Sequence, residues 1–142
     1  MELIKIHPPV VHFAIALPFA LLVLEIYYRF NRKNPDGLHF IFTLLSSLSV
    51  LGAVLSGMVA YEPIEDKLYK IKIFSYHKYT GLFLAVLFIV LFVIRLNIGK
   101  SNGMRNLFTL ILLLGMILLF IQGSMGGSIV YDHMVKPWVE MP

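Results

Sequence analysis

Four long stretches of the chain carry no Asp, Glu, Lys or Arg: Ile6 to Leu24, Gly37 to Tyr61, Tyr79 to Ile94 and Asn106 to Tyr131. Their apolar residues come in blocks rather than in the apolar-polar alternation of a half-buried strand. A helix rising about 1.5 Å per residue needs roughly 20 residues to cross a hydrocarbon core of about 30 Å, and each stretch is near or above that length. The pattern predicts four transmembrane helices, over Pro9 to Phe30, Leu38 to Tyr61, Phe74 to Leu96 and Arg105 to Asp132.

Two of the connections are tight polar turns. NRKNPDG, with Pro35 and Gly37, joins helices one and two, and RLNIGKSNGMR joins three and four. Short turns make antiparallel neighbours, so the expected fold is an all-α, integral membrane, up-down four-helix bundle filling residues 1–142 as one domain. The connection EPIEDKLYKIKIF is longer, and its Ile64, Leu68, Ile71 and Phe74 follow helical spacing beside charges. It predicts a short amphipathic segment at the interface between helices two and three. The first apolar run ends in Glu25-Ile26-Tyr27-Tyr28-Arg29 with no small-residue cleavage site, which marks a permanent span rather than a signal peptide.

Composition agrees with the pattern. Hydrophobic residues make up 58% of the chain against 14% charged, and the mean hydropathy of +0.82 lies outside the range of soluble globular domains. The absence of cysteine excludes disulfides, thiolate metal sites, covalent c-type haem and cysteine-held iron-sulfur clusters. The net charge of +4 resides in anchoring loops, and no basic stretch resembles a nucleic-acid-binding patch.

An up-down topology places the start of helix one, the end of two, the start of three and the end of four on one membrane face. That face collects His7, His12, His77 and His133, with Glu62, Asp66 and Asp132 nearby, while His39 alone lies at the other end. Tyr61, Tyr76, Tyr79, Tyr131 and Trp138 sit where interfacial anchors belong. One histidine near a helix end is commonly just interfacial. Convergence from three helices is what points to a site, because polar groups in spans face the bundle interior.

Neutral imidazole is the usual axial ligand of haem b, and two helices each offering one histidine hold such an iron between them. In HPPVVHF, Pro8 and Pro9 suit the first helical turn, which sets His7 just before the helix and His12 about a turn inside it, level with His77. His12 and His77 are therefore the expected axial pair, with His7 and His133 as a second pair or outer shell. Gly81, one turn beyond His77, and the G-x-x-x-G of Gly123 and Gly127 leave room for a flat ring. Close packing of small residues between helices, or within a homo-oligomer or larger complex, accounts for the same glycines. Lys72, Lys78 and Lys136 stand where propionates would emerge. The same four histidines also suit a haem-free zinc or copper site, and a structural or assembly subunit with interfacial histidines is the third reading.

The segments IHPPVVHFAIALP, GAVLSGMVAYEP and GSMGGSIVYDH, with the histidine that opens helix three, resemble the small membrane-protein family catalogued as domain of unknown function 2231. His7, Pro8, His12, Gly52, His77, Gly126, Gly127, Tyr131 and His133 match its pattern, while Ala14 and Met134 depart from it. The resemblance implies four helices and directs attention to these histidines. The family's occurrence near redox proteins implies electron transfer; the b-type haem protein expected from the histidines would pass electrons between quinol and a partner redox domain.

Each face receives six basic residues, so the positive-inside count ties. Every arginine and the most compact basic loops lie opposite the histidines, which favours a cytoplasmic arginine face in a bacterial inner membrane, with the termini and histidines on the periplasmic side. Glu25, near the end of helix one, is expected to snorkel to water or pair with Arg29, with a proton-relay carboxylate as the alternative.

Overall fold

The computed structural model describes residues 3–62, 68 and 70–135. A 3-10 turn, Leu3–Ile6, leads into α1 (His7–Phe30), followed by α2 (Gly37–Tyr61), α3 (Lys72–Asn97) and α4 (Asn102–Ser128), which continues into a π-helical turn, Ile129–Val135. Each helix is long and apolar enough to cross a membrane. The four predicted spans are thus present, each beginning one to three residues earlier than expected. The proposed interfacial segment falls largely on undescribed residues, among them Ile64 and Asp66. Of its apolar positions, Leu68 and Phe74 are buried together with Ile129, and Ile71 packs against them.

Local chemistry fixes the helix ends. Pro8 and Pro9 occupy the first turn of α1, where backbone donors have no helical partner anyway. His7 is already the first residue of that helix, not the residue before it. At the other end, the amides of Arg32 and Lys33 donate back to the carbonyls of Arg29 and Tyr28, and Arg32 takes the left-handed conformation (φ 54°) that glycine usually fills in such a stop. Asp36 then caps α2, accepting from the His39 amide and from the Tyr28 hydroxyl. The Tyr28 hydroxyl, and after it that amide, hold the Asp36 carboxyl below the usual carboxylate range. A depressed carboxylate supports the fold at neutral pH and loses that contribution as pH falls through its lowered value. Ser101 caps α4 through the Met104 amide.

Contacts at both ends make every neighbouring pair antiparallel. His7 at the start of α1 touches Gly57 near the end of α2, and Glu25 near the end of α1 meets His39 at the start of α2. Arg95 at the end of α3 likewise reaches His39, and His77 at its start meets Gln122 and Gly126 near the end of α4. Around the bundle α1 packs on α2 and α4, and α3 packs on the same two, so α1 and α3 occupy opposite corners.

The interior is filled by Leu21, Val50, Leu84, Phe88, Leu91, Phe108, Leu112, Met116 and Leu119. Large apolar side chains such as Phe13, Phe19, Leu55, Leu110 and Phe120 point outward, as they must where the surroundings are lipid tails. With apolar residues on every side, hydrophobicity does not choose the inward face; small residues and hydrogen-bonding side chains do. Gly115 is such a choice. A Cβ there would lie 3.0 Å from Cε2 of Phe88, which is enclosed and has nowhere to move. Gly115→Ala should therefore cost about 1–3 kcal/mol. Gly127→Ala, where no side chain among the described residues comes within 4 Å of the Cβ position, should unfold at or slightly above the wild-type midpoint when both are melted in the same detergent.

Candidate functional site

The histidine-bearing end brings together two of the four predicted ligands. His7 is drawn inward from α1, and Gly57 on α2 is what admits it: a Cβ at that glycine would stand 3.0 Å from the imidazole Cε1. Nδ1 of His7 lies 2.9 Å from the Ser56 hydroxyl, which itself donates to the Ala53 carbonyl. A hydroxyl that has spent its proton on a carbonyl must accept from the ring. Nδ1 of His7 therefore carries the proton, and Nε2 is left with its lone pair.

His77 arrives from the opposite corner. Its ring rests on Gly126 of α4, where a Cβ would lie 3.2 Å from Cε1. The Gln122 amide donates to the His77 carbonyl at 2.9 Å and stands 3.4 Å from ring Nε2, and Gly81 gives that amide its space. Among the described residues, Nδ1 of His77 is buried with no hydrogen-bond partner, and so is Oε1 of Gln122. The two imidazoles enter the same end of the bundle from opposite corners.

The remaining predicted ligands stand apart. His12 is exposed, its Nδ1 donating 2.7 Å away to the Pro8 carbonyl of its own helix, and it shares the outer face of α1 with Phe19 and Val23. His133 is exposed in the π-helical turn. Among the described residues no three His, Asp or Glu side chains come together as a metal-binding group. His12 therefore does not turn toward His77, and of the predicted ligands it is His7 that faces inward at the same end as His77. Gly81 gives space to Gln122, Gly123 makes an ordinary 3.5 Å contact with Ile15 of α1, and the Cβ position of Gly127 meets no side chain among the described residues. Lys78 lies 4.8 Å from the centre of the Tyr61 ring, and Lys136 and Trp138 are outside the described residues.

The opposite end holds a buried polar network that sequence reading noticed only in part. Glu25 is fully buried, so it does not snorkel, although it does pair with Arg29. Its Oε1 accepts from Arg29 Nε at 2.8 Å and from the Thr109 hydroxyl at 2.7 Å, while its Oε2 accepts from His39 Nε2 at 3.1 Å. His39, equally buried, receives Arg95 Nε on Nδ1 at 3.0 Å and stacks near Phe108. Because guanidinium only donates, Nδ1 is bare, so the His39 proton sits on Nε2 facing the carboxylate and the ring is neutral. One carboxylate thereby ties α1, α2 and α4 directly, and α3 through the imidazole. The missed sign was polar spacing: Glu25 and Arg29 lie one turn apart, and His39 follows across a turn too short to carry it elsewhere.

No curated protein and no solved structure matches the chain. Four antiparallel apolar helices, HPPVVHF opening the first and the glycine-rich end of the last agree with what a scan of protein families returns, a match over residues 3–137. The chain belongs to the family of predicted membrane proteins described as DUF2231.

Proposed function

We propose that the chain is a membrane electron-transfer protein in which His7 and His77 hold a b-type haem near the histidine-bearing face. The observation that carries this reading is the buried Nδ1 of His77, which has no hydrogen-bond partner among the described residues, at the same end of the bundle as the inward-turned imidazole of His7 on the opposite corner. Four-helix bundles build cofactor sites in this way, from side chains on facing helices.

The number of donors favours haem over a bare metal ion. A closed zinc site needs about four protein ligands, whereas a haem brings its own four nitrogens and asks the protein for two axial ones. Among the described residues no three His, Asp or Glu side chains form a metal-binding group, and a pair of histidines suits the latter. Bound there, haem would supply one-electron chemistry at a potential set by its two imidazoles and their surroundings.

The chain's own residues would do the positioning. Ser56 holds the His7 ring with Nε2 bare, and the Gln122 amide holds the backbone and ring of His77. Partners on a ligand's second nitrogen or on its backbone fix ring orientation and basicity. Lys72 and Lys78, at the start of α3, would meet the propionates. Quinol in the bilayer or a redox protein on the periplasmic side of a bacterial inner membrane would exchange the electrons.

Protein purified in mild detergent and supplied with haem should show a sharp Soret band, reduced alpha and beta bands, and about one haem per chain by haemochrome assay. Zinc or copper in stoichiometric amount without those bands would replace this reading with the haem-free metal site. Neither haem nor metal would leave a structural subunit.

A further inference from the structure

The network around Glu25 contains more positive than negative charge. Arg29 and Arg105 face Glu25, Arg95 joins through His39 and the Asp36 carbonyl, Asp36 stands at the rim as the second carboxylate, and His39 is neutral by its hydrogen bonds. Three guanidinium groups against two carboxylates leave one positive charge uncompensated.

Geometry identifies which one. Arg29 gives Nε to Glu25, Nη1 to Asn106, and Nη2 to Thr109 and the Arg105 carbonyl. Arg95 gives Nε to His39 and Nη2 to the Asp36 carbonyl. The Arg105 guanidinium donates to nothing among the described residues; its Nε and Nη2 are enclosed and unpartnered. Nε stands 3.7 Å from Oε1 of Glu25, too far for a hydrogen bond, and that oxygen already accepts from Arg29 and Thr109. The side chain is 16% exposed, so one end reaches the surface.

An arginine whose paired Nε and Nη2 donors lack an acceptor is matched to a planar or tetrahedral oxyanion, which takes both at once. Its surroundings narrow the source. Arg105 lies in the first turn of α4 at the end of a membrane span, where headgroup phosphates lie, and Arg32, Lys33 and Lys100 are exposed on the same face. Basic residues at that depth attract anionic lipid headgroups. We propose that Arg105 binds the phosphate of an anionic phospholipid at the arginine-side boundary. Its side chain turns the Nε and Nη2 edge away from the saturated Glu25 toward the headgroup. Arg29, bonded to the Arg105 carbonyl and to Asn106, keeps the start of α4 fixed while the side chain moves.

The test is thermal unfolding in mild detergent with added phosphatidylglycerol, phosphatidylcholine at the same mole fraction, or inorganic phosphate. The wild-type midpoint should rise with phosphatidylglycerol and stay put with the other two. Arg105→Gln should reduce that response several-fold, and Arg105→Lys, which keeps the charge but loses the paired donors, should also weaken it; the lysine variant decides if the glutamine variant does not fold. An Arg32→Gln, Lys100→Gln double variant should retain most of it. An unchanged response in the Arg105 variants would assign the effect to diffuse surface charge. An equal shift with phosphatidylcholine, or a full shift with inorganic phosphate, would equally overturn a phospholipid site.

Discussion

Glu25→Ala is expected to lower stability by about 3–5 kcal/mol, the loss that follows when one member of a buried charged network is removed and its partners stay behind. The alanine variant leaves Arg29 and His39 with donors aimed at an apolar methyl, and Arg105 with no counter-charge within reach. Three helices lose their shared acceptor at once, so the effect should appear as loss of cooperative unfolding followed by circular dichroism in mild detergent. Glu25→Gln should fall between, since an amide oxygen still accepts but carries no charge. A wild-type midpoint for the alanine variant would mean that the network contributes nothing to folding.

The second large effect concerns the other end. His77→Ala and His7→Ala should each abolish low-spin haem binding, while His12→Ala and His133→Ala should leave the absorption spectrum unchanged. The distinction comes from geometry: the first two imidazoles point inward from opposite corners, and the other two are exposed. Ser56→Ala should retain haem with altered axial geometry, because it removes only the acceptor for Nδ1 of His7. Loss of haem in His12→Ala with retention in His7→Ala would reverse the assignment.

Why the choice between His7 and His12 escaped sequence reading has a physical answer. A proline pair at the helix start suggests that His7 precedes the helix, and depth alone then makes His12 the better partner for His77. Orientation was legible through another residue. Eighteen residues make five full helical turns at 3.6 per turn, so His7 and Glu25 share one face of α1, whereas His12 is turned well away from it. The same spacing puts His39 on the face of Gly57, and His77 on that of Arg95. Glu25 inside a membrane span has to face inward. Counting back from it selects His7.

Other parts of the bundle were plain from the sequence because one force decides each. Uncharged length sets the spans, and short polar turns set their antiparallel order. The partners of the glycines were not plain, since a glycine in a span records only that something comes close, and spacing does not say whether that is a backbone, an imidazole or an amide. Gly57 and Gly126 house histidines, Gly81 houses Gln122, and Gly127 houses no side chain among the described residues. His39 went unweighted because it stands alone on its face in the sequence. Its partners Glu25 and Arg95 come from two other helices, and only the packed bundle brings them together.

Near-infrared magnetic circular dichroism of the oxidised, haem-supplied protein tests the central claim most directly, because the charge-transfer band reports which two side chains ligate the iron. A band of the bis-histidine type, lost in both His7→Ala and His77→Ala, is the predicted result. A histidine-methionine band, a high-spin spectrum, or a bis-histidine band that survives in both variants would contradict it.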